Sequence, residues 1–289
     1  MNNNLAISTY SYHRFGSGPE GADLPTMETM IKRTAAYGIQ GLEIIGNHLD
    51  QLGQADTASL HQLKQLMAAH GVAPVSVSAH HNFVQPDPAV RNEHIARLKQ
   101  WIDAAYEIGA PFVRAFGGRW GTMTNFGEFM AAGGNEPPID GYTLDDAFQW
   151  TIDSFIECAA YASGKGVTIL LENHWGLTGT AAGTLRIFEG VNSPWLKLVL
   201  DTGNFIQEPD QYAEMALMLP HCALIHAKTY IGKSLYFDEF DLDYARIARL
   251  LKDAGYQGYL SIEFEGKAHP DEGIPASIAQ VRAGLAAVD

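Results

Sequence analysis

The run LKLVLDTGNF (196–205) gathers Leu196, Leu198, Val199 and Leu200 into a short apolar segment, then stops on Asp201 and continues Thr202-Gly203-Asn204. An apolar run of this length reads as a strand buried on both faces. A carboxylate at the mouth of such a strand is costly unless something pairs with it. Seven other runs share the form: LAISTY (5–10), GLEII (41–45), PVSVSA (74–79), FVRAF (112–116), VTILLE (167–172), ALIHAK (223–228) and YLSIEF (259–264).

Between these runs lie segments of helical period. In TMETMIKRTAAYG, Met27, Met30, Ile31 and Ala35 share a face, and Gly38 ends the turn. SLHQLKQLMAAHG, HIARLKQWIDAAYEIG and YARIARLLKDAG likewise close on a Gly suited to a left-handed C-cap. Eight alternating units imply right-handed crossovers and a parallel sheet. In 289 residues they favour one closed (β/α)8 TIM barrel over residues 1–289 rather than an open doubly wound sheet. The one phosphate-loop candidate, FGSGPEG (15–21), has the wrong spacing for a dinucleotide fingerprint. One connection is long: residues 117–142, after strand four, are rich in Gly and carry two Pro and several aromatics. A loop of that size within a compact domain is usually functional or disordered, and its Phe and Trp content argues for order. It reads as a lid or as a contact in a homo-oligomer.

Composition narrows the function classes. The chain is 46% hydrophobic with a formal net charge of −14, and its Lys and Arg are scattered. Such a surface repels phosphate backbones, so nucleic acid is not the expected partner. No run is long enough to cross a bilayer, MNNNLAISTY lacks a basic secretory n-region, and Cys158 and Cys222 form no C-x-x-C pair. The expectation is a soluble cytoplasmic protein with a small-molecule partner and no membrane association.

Polar residues collect where the runs end, which in a (β/α)8 barrel is where chemistry sits. Strand five ends in Glu172-Asn173-His174, strand six in Asp201, and strand three in His80-His81; strand four carries Arg114, strand seven His226 and Lys228, strand eight Glu263 and Glu265. Taken singly, Glu172 is an N-cap or a lysine partner, Asp201 starts an Asx-turn, His226 is a satisfied core histidine, and Glu263 is half of a barrel ion pair. Together, Glu172, Asp201, His226 and Glu263 come from four consecutive strands. Three carboxylates in close contact at one mouth repel and raise one another's pKa unless a cation is shared. That donor set suits Mn²⁺, Mg²⁺ or Co²⁺ with open positions for substrate, while a closed structural Zn²⁺ site would favour Cys and His. One Mn²⁺ is the expected ion, with Mg²⁺, Co²⁺ or Zn²⁺ as alternatives, and no organic cofactor is needed.

The motifs LLENHWG, LVLDTGNF, LIHAKTY and LSIEFEG, in this order, resemble the xylose-isomerase-like barrel superfamily, nearest in pattern to sugar isomerases and epimerases of the D-tagatose 3-epimerase, inosose isomerase and hydroxypyruvate isomerase type. The resemblance implies metal ligands at Glu172, Asp201, His226 and Glu263, and an acid–base pair at Glu172 and Glu263 acting through a cis-enediolate. One departure stands out. The family often has Asp-x-x-His on strand six, and here the fourth position is Asn204, which hydrogen-bonds but does not shuttle a proton near neutral pH. The endonuclease IV branch, with its additional His ligands, fits less well, because strand four offers Arg114 and strand six Asn204.

Expected substrate-binding residues are His80, Arg114, His174, Asn204, Lys228, Trp120 and Trp175. Lys228 has the parity of His226, and His174 that of Glu172. Arg114 would bind an anion or pair with a barrel carboxylate such as Glu43. Trp120 and Trp175 would stack on a sugar face or simply pack under the loop. The leading function is a metal-dependent isomerase or epimerase of a sugar or keto-sugar. The alternatives are a lyase or dehydratase on the same scaffold, acting on a keto-sugar, inosose or 3-keto glycoside, and a non-catalytic sugar-binding module.

Overall fold

A computed structural model describes residues 4–13, 23–206, 208–232 and 242–288. The segment FGSGPEG (15–21) lies outside the described residues. The first half of the chain runs β1 (Leu5–Ser8), α1 (Met27–Ala36), β2 (Gly41–Ile45), α2 (Gly46–Gln51), α3 (Thr57–Ala69), β3 (Ala73–Ser78), α4 (Pro88–Ile108), β4 (Phe112–Phe116), α5 (Phe126–Ala131) and α6 (Leu144–Ser163). The second half runs β5 (Thr168–Glu172), α7 (Ala181–Val191), β6 (Leu196–Asp201), α8 (Gln211–Met218), β7 (Cys222–Thr229), α9 (Tyr244–Asp253), β8 (Tyr259–Phe264) and α10 (Pro270–Ala286). The strands close in chain order, every pair parallel, with β8 returning to β1. This is the (β/α)8 barrel that the alternation of runs predicts.

Local chemistry explains the helix ends. Asp56 caps α3, Asp87 with Pro88 opens α4, and Thr143 and Asp146 form a reciprocal capping box on α6. The glycines expected to end helices do so: Gly38, Gly71, Gly109 and Gly255 all have positive φ, from 66° to 86°. The 117–142 connection is ordered and contains α5.

The apolar interior divides in two. A large cluster fills the space between barrel and helices, with Leu42, Val113, Leu171, Leu198 and Ile262 meeting Met30, Leu63, Trp101, Phe155 and Ile278. A small one, Ala6, Val75, Leu170, Val199 and Leu224, fills the inside of the barrel. Beyond that plug the inward positions turn polar: Glu43, Arg114, Glu172, Asp201, His226, Lys228 and Glu263 are all buried. Charges are seldom buried this fully without partners. The fold thus gathers them into one polar layer at the C-terminal end of the barrel.

Candidate metal centre and sugar-sized cavity

Strand parity sets the layer. Register pairs Asp201 with His226 across β6 and β7, and Lys228 with Glu263 across β7 and β8. One ligand atom from each of Glu172, Asp201, His226 and Glu263 can be chosen so that all four lie within 4.8 Å of one another. His226 Nδ1 is the nitrogen that faces the group: it is 3.1 Å from Glu172 Oε1, 3.6 Å from Glu263 Oε2 and 3.9 Å from Asp201 Oδ2.

The other ring nitrogen is fixed from behind. His226 Nε2 sits 3.0 Å from the carboxylate of Glu43, which also accepts from Ser78 Oγ at 2.5 Å and Ser261 Oγ at 2.7 Å. A carboxylate that takes Nε2–H leaves Nδ1 as the free donor atom, the arrangement that orients histidines at metal sites. Sequence reasoning missed this role and offered Glu43 as a partner for Arg114. Arg114 instead lies against Glu172, with Nε 3.4 Å from Oε2. The available signal for Glu43 was a lone acid in the strand GLEII, at a position whose neighbours are apolar.

Asp201 shows how the site is built from local chemistry. Its Oδ1 accepts from Gly203 N at 2.7 Å, closing the Asx-turn expected from Asp-Thr-Gly. The side-chain amide of Asn173 then grips its backbone, donating to Asp201 O at 2.9 Å and accepting from Asp201 N at 2.7 Å. Gly203 is required because the chain passes under Lys228: a Cβ there would lie 2.6 Å from Lys228 Cγ. Asn204 lines the cavity, and its amide donates to Asn173 O at 3.0 Å.

Glu172 Oε2, Asp201 Oδ2 and Glu263 Oε2 are buried and accept no well-directed hydrogen bond. Five carboxylates, Glu43, Glu172, Asp201, Glu263 and Glu265, face two permanent cations, Arg114 and Lys228, and the His226 imidazole. Lys228 Nζ reaches Glu263 at 2.8 Å, Asp201 at 3.1 Å and Glu265 at 3.3 Å. The excess of negative charge shows in the proton affinities. Burial, then Glu263 and Glu172, pushes the Asp201 carboxyl well up against the pull of Lys228. Burial would raise Glu263 too, but Lys228 and His226 hold it down to about 2. Burial disfavours the His226 imidazolium, yet Glu43 and Glu263 raise its affinity for a proton well above the ordinary value. Buried carboxylate oxygens that accept no well-directed hydrogen bond, an excess of negative charge and one oriented imidazole fit a divalent cation of the Mn²⁺ or Mg²⁺ type.

Two of the four, Glu172 and Glu263, line a cavity of about 480 Å³, while Asp201 and His226 are buried and do not form its wall. His80, Arg114, His174, Trp175, Asn204 and Lys228 line it, as the sequence led us to expect, together with His81, Phe116, Arg119, Phe126 and Glu265. Trp120 does not belong to that wall: it is buried edge-on against Trp150, with ring centroids 6.1 Å apart. His81 is fixed by accepting from Phe116 N at 3.3 Å. Burial, with Arg114 and His174 adding to it, lowers His80 to about 3, and burial lowers His174 to about 4 against the opposing pull of Glu172. Both imidazoles are therefore neutral near pH 7.

The sequence profile of the xylose isomerase-like TIM barrel family matches residues 31–283. L-ribulose-5-phosphate 3-epimerase UlaE of Shigella flexneri is 23% identical over 255 residues, covering 83% of this chain and 84% of that protein. Inosose dehydratase of Serratia proteamaculans is 29% identical over 150 residues, 43% of this chain and 50% of its own. Among solved structures, 3-keto-D-glucoside 4-epimerase from E. coli superposes with a TM-score of 0.75 at 16% identity, covering 97% of this chain and 99% of that one. No helix among the described residues is long and apolar enough to cross a membrane. With the profile spanning nearly the whole barrel, the chain belongs to the xylose isomerase-like TIM barrel family.

Proposed function

We propose that this protein is a divalent-metal-dependent isomerase or epimerase of a sugar or keto-sugar, with Mn²⁺ the favoured ion. The observation that carries the reading is the set of four ligand atoms within 4.8 Å, three of them from buried carboxylates, with Glu172 and Glu263 also lining the cavity. Glu172, Asp201, His226 and Glu263 would hold the ion. When bound, it would polarise a sugar carbonyl and the neighbouring hydroxyl and so acidify the α C–H.

The chain's own residues supply the proton transfers. Glu172 and Glu263 come from β5 and β8 and flank the ligand set from different sides. One removes the α-proton; the other returns a proton on the opposite face for epimerisation, or at the neighbouring carbon for isomerisation. Each glutamate has its own fixed cation, Arg114 for Glu172 and Lys228 for Glu263. Both carboxyls are held below the ordinary range despite burial, so the glutamate that returns the proton must first gain one, from a substrate hydroxyl or solvent, before it acts as the acid. His80, His174, Asn204 and Lys228 are placed to orient hydroxyls, and Trp175 to cover an apolar sugar face.

A lyase or dehydratase is the second reading, supported by the likeness to inosose dehydratase. Elimination needs an acid at the leaving group. His174 is the candidate, and its proton affinity, lowered to about 4 by burial, makes it a poor donor near neutral pH. Incubating the Mn²⁺-loaded protein with a panel of keto-sugars in D₂O separates the two. Deuterium at the α-carbon with the carbon–oxygen skeleton intact is expected. Loss of water or an aglycone would establish the lyase, and absence of exchange and turnover across the panel would overturn both.

A further inference from the structure

Among the described residues three carboxylates line the cavity: Glu172, Glu263 and Glu265. The first two belong to the proposed ligand group, and Glu265 does not. Glu265 N donates to Thr229 O at 2.9 Å, so the pairing of β8 with β7 carries on past Phe264 and keeps Glu265 on the inward parity of Glu263. Its side chain is 13% exposed, with Oε2 3.3 Å from Lys228 Nζ, and Oε1 accepts from Tyr10 OH at 3.4 Å. Asp201 and Glu263 also reach Lys228, but both are shared with the proposed ion. Glu265 is therefore the carboxylate directed at Lys228 and the cavity alone. An ionised carboxylate accepts at about four lone-pair sites and donates at none. Besides Lys228 and Tyr10 it can take the hydroxyl hydrogens of a sugar.

The charges around it disfavour an anionic substrate. The cations of the described wall are already matched: Arg114 with Glu172, Arg119 with Glu136, and Lys228 with its carboxylates. A phosphate or carboxylate group would have to displace one of these partners, and beside Glu265 it would meet a like charge. In (β/α)8 barrels a phosphate frequently sits between the loops after strands seven and eight, at a helix N-terminus. Here Glu265 follows β8, and the first turn of α10 carries Asp271 and Glu272. By sequence, the connections at 14–22 and 233–241 add Arg14 and Lys233 against Glu20, Asp238, Glu239 and Asp241. A neutral hydroxyl meets no such opposition.

We propose that Glu265 is a substrate-binding residue that accepts hydrogen bonds from sugar hydroxyls and turns away anionic groups, so that the substrate is a neutral, unphosphorylated keto-sugar. The inference rests on the proposed sugar chemistry, but its test needs no turnover. Isothermal titration calorimetry on the full-length Mn²⁺-loaded protein compares D-ribulose with D-ribulose 5-phosphate, L-ribulose with L-ribulose 5-phosphate, and D-fructose with D-fructose 6-phosphate. Where a pair binds, the neutral ketose is expected to bind about tenfold more tightly than its ester. Glu265→Gln keeps the shape of the side chain and removes its charge. It is expected to weaken the ketose about tenfold and to cut the preference over the ester about threefold or more, with the circular dichroism spectrum unchanged. An ester that binds as tightly as its ketose, or a preference that the variant leaves unchanged, would overturn the inference. α-Proton exchange alongside either result would leave the isomerase chemistry standing. No binding by any of these compounds would overturn the inference as well, and the keto-sugar exchange panel in D₂O decides the isomerase reading separately.

Discussion

At Asp201 one carboxylate oxygen is spent on the turn, accepting from Gly203 N, while the other faces Lys228 and the ligand group. The Asx-turn and metal-ligand readings of this residue are thus both compatible with one rotamer. The same economy holds at His226, whose two nitrogens face Glu43 on one side and the ligand cluster on the other. Two predictions belong at this scale. Glu43→Gln keeps the size of the buried side chain but weakens the charge that orients His226. Mn²⁺ affinity, read by electron paramagnetic resonance, should fall about 10–100-fold; unchanged affinity would remove Glu43 from the account. Glu263→Gln should lower kcat by about 10²–10⁴-fold with the circular dichroism spectrum preserved; retained turnover would sink the acid–base assignment. Asp201, His226 and Glu263 were legible because each is an ionisable group at the end of an apolar run. Glu43 was not, because its meaning depends on which strand lies across the barrel interior.

At the level of elements, the strand ends place the chemistry and the connections shape the space above it. Asn82 ties two connections together, donating to Arg119 O at 2.9 Å and accepting from Arg119 N at 3.1 Å. Glu136 then fixes the 117–142 connection from within. Glu136→Ala leaves two backbone N–H groups and Arg119 without their shared acceptor; Gly121 N and Arg119 can turn to water, so the loss is about 1 kcal/mol per hydrogen bond. Hydrogen exchange over residues 117–142 should accelerate while the barrel strands keep their protection. Equal protection in variant and parent would show that Glu136 does not order the segment. Sequence patterning handled the regular elements well: GLEII, FVRAF, LKLVLD and YLSIEF coincide with β2, β4, β6 and β8. It could not rank the aromatics of the long connection. Parity says which way a strand residue points, but irregular backbone carries no such rule, so Trp120 and Phe126 looked alike although only Phe126 reaches the cavity.

For the whole molecule, closing the sheet makes the centre. Eight strands in sequential order bring the ends of β5 to β8 around to β2, and so bring Glu43 against His226 across the barrel. An open sheet with the same strands would keep these residues apart. The alternation of runs therefore foretold the fold and the barrel end where the ionisable side chains gather, while the shape of the space above them depends on loop geometry that local patterns do not encode. A ligand that binds only the folded chain stabilises it by mass action. At 1,000 times its dissociation constant Mn²⁺ should add about 4 kcal/mol, raising Tm by roughly 5–10 °C for a chain of this size. EDTA should reverse the shift in a thermal scan, and a Tm indifferent to both would argue against an ion in the polar layer. The central claim, that Glu172, Asp201, His226 and Glu263 share one divalent cation, is tested most directly by titrating the purified protein with Mn²⁺ and counting bound ions by electron paramagnetic resonance. The account predicts one ion per chain, lost when Asp201→Asn or His226→Ala removes a ligand; no bound ion in the parent, or binding undiminished in both variants, would contradict it.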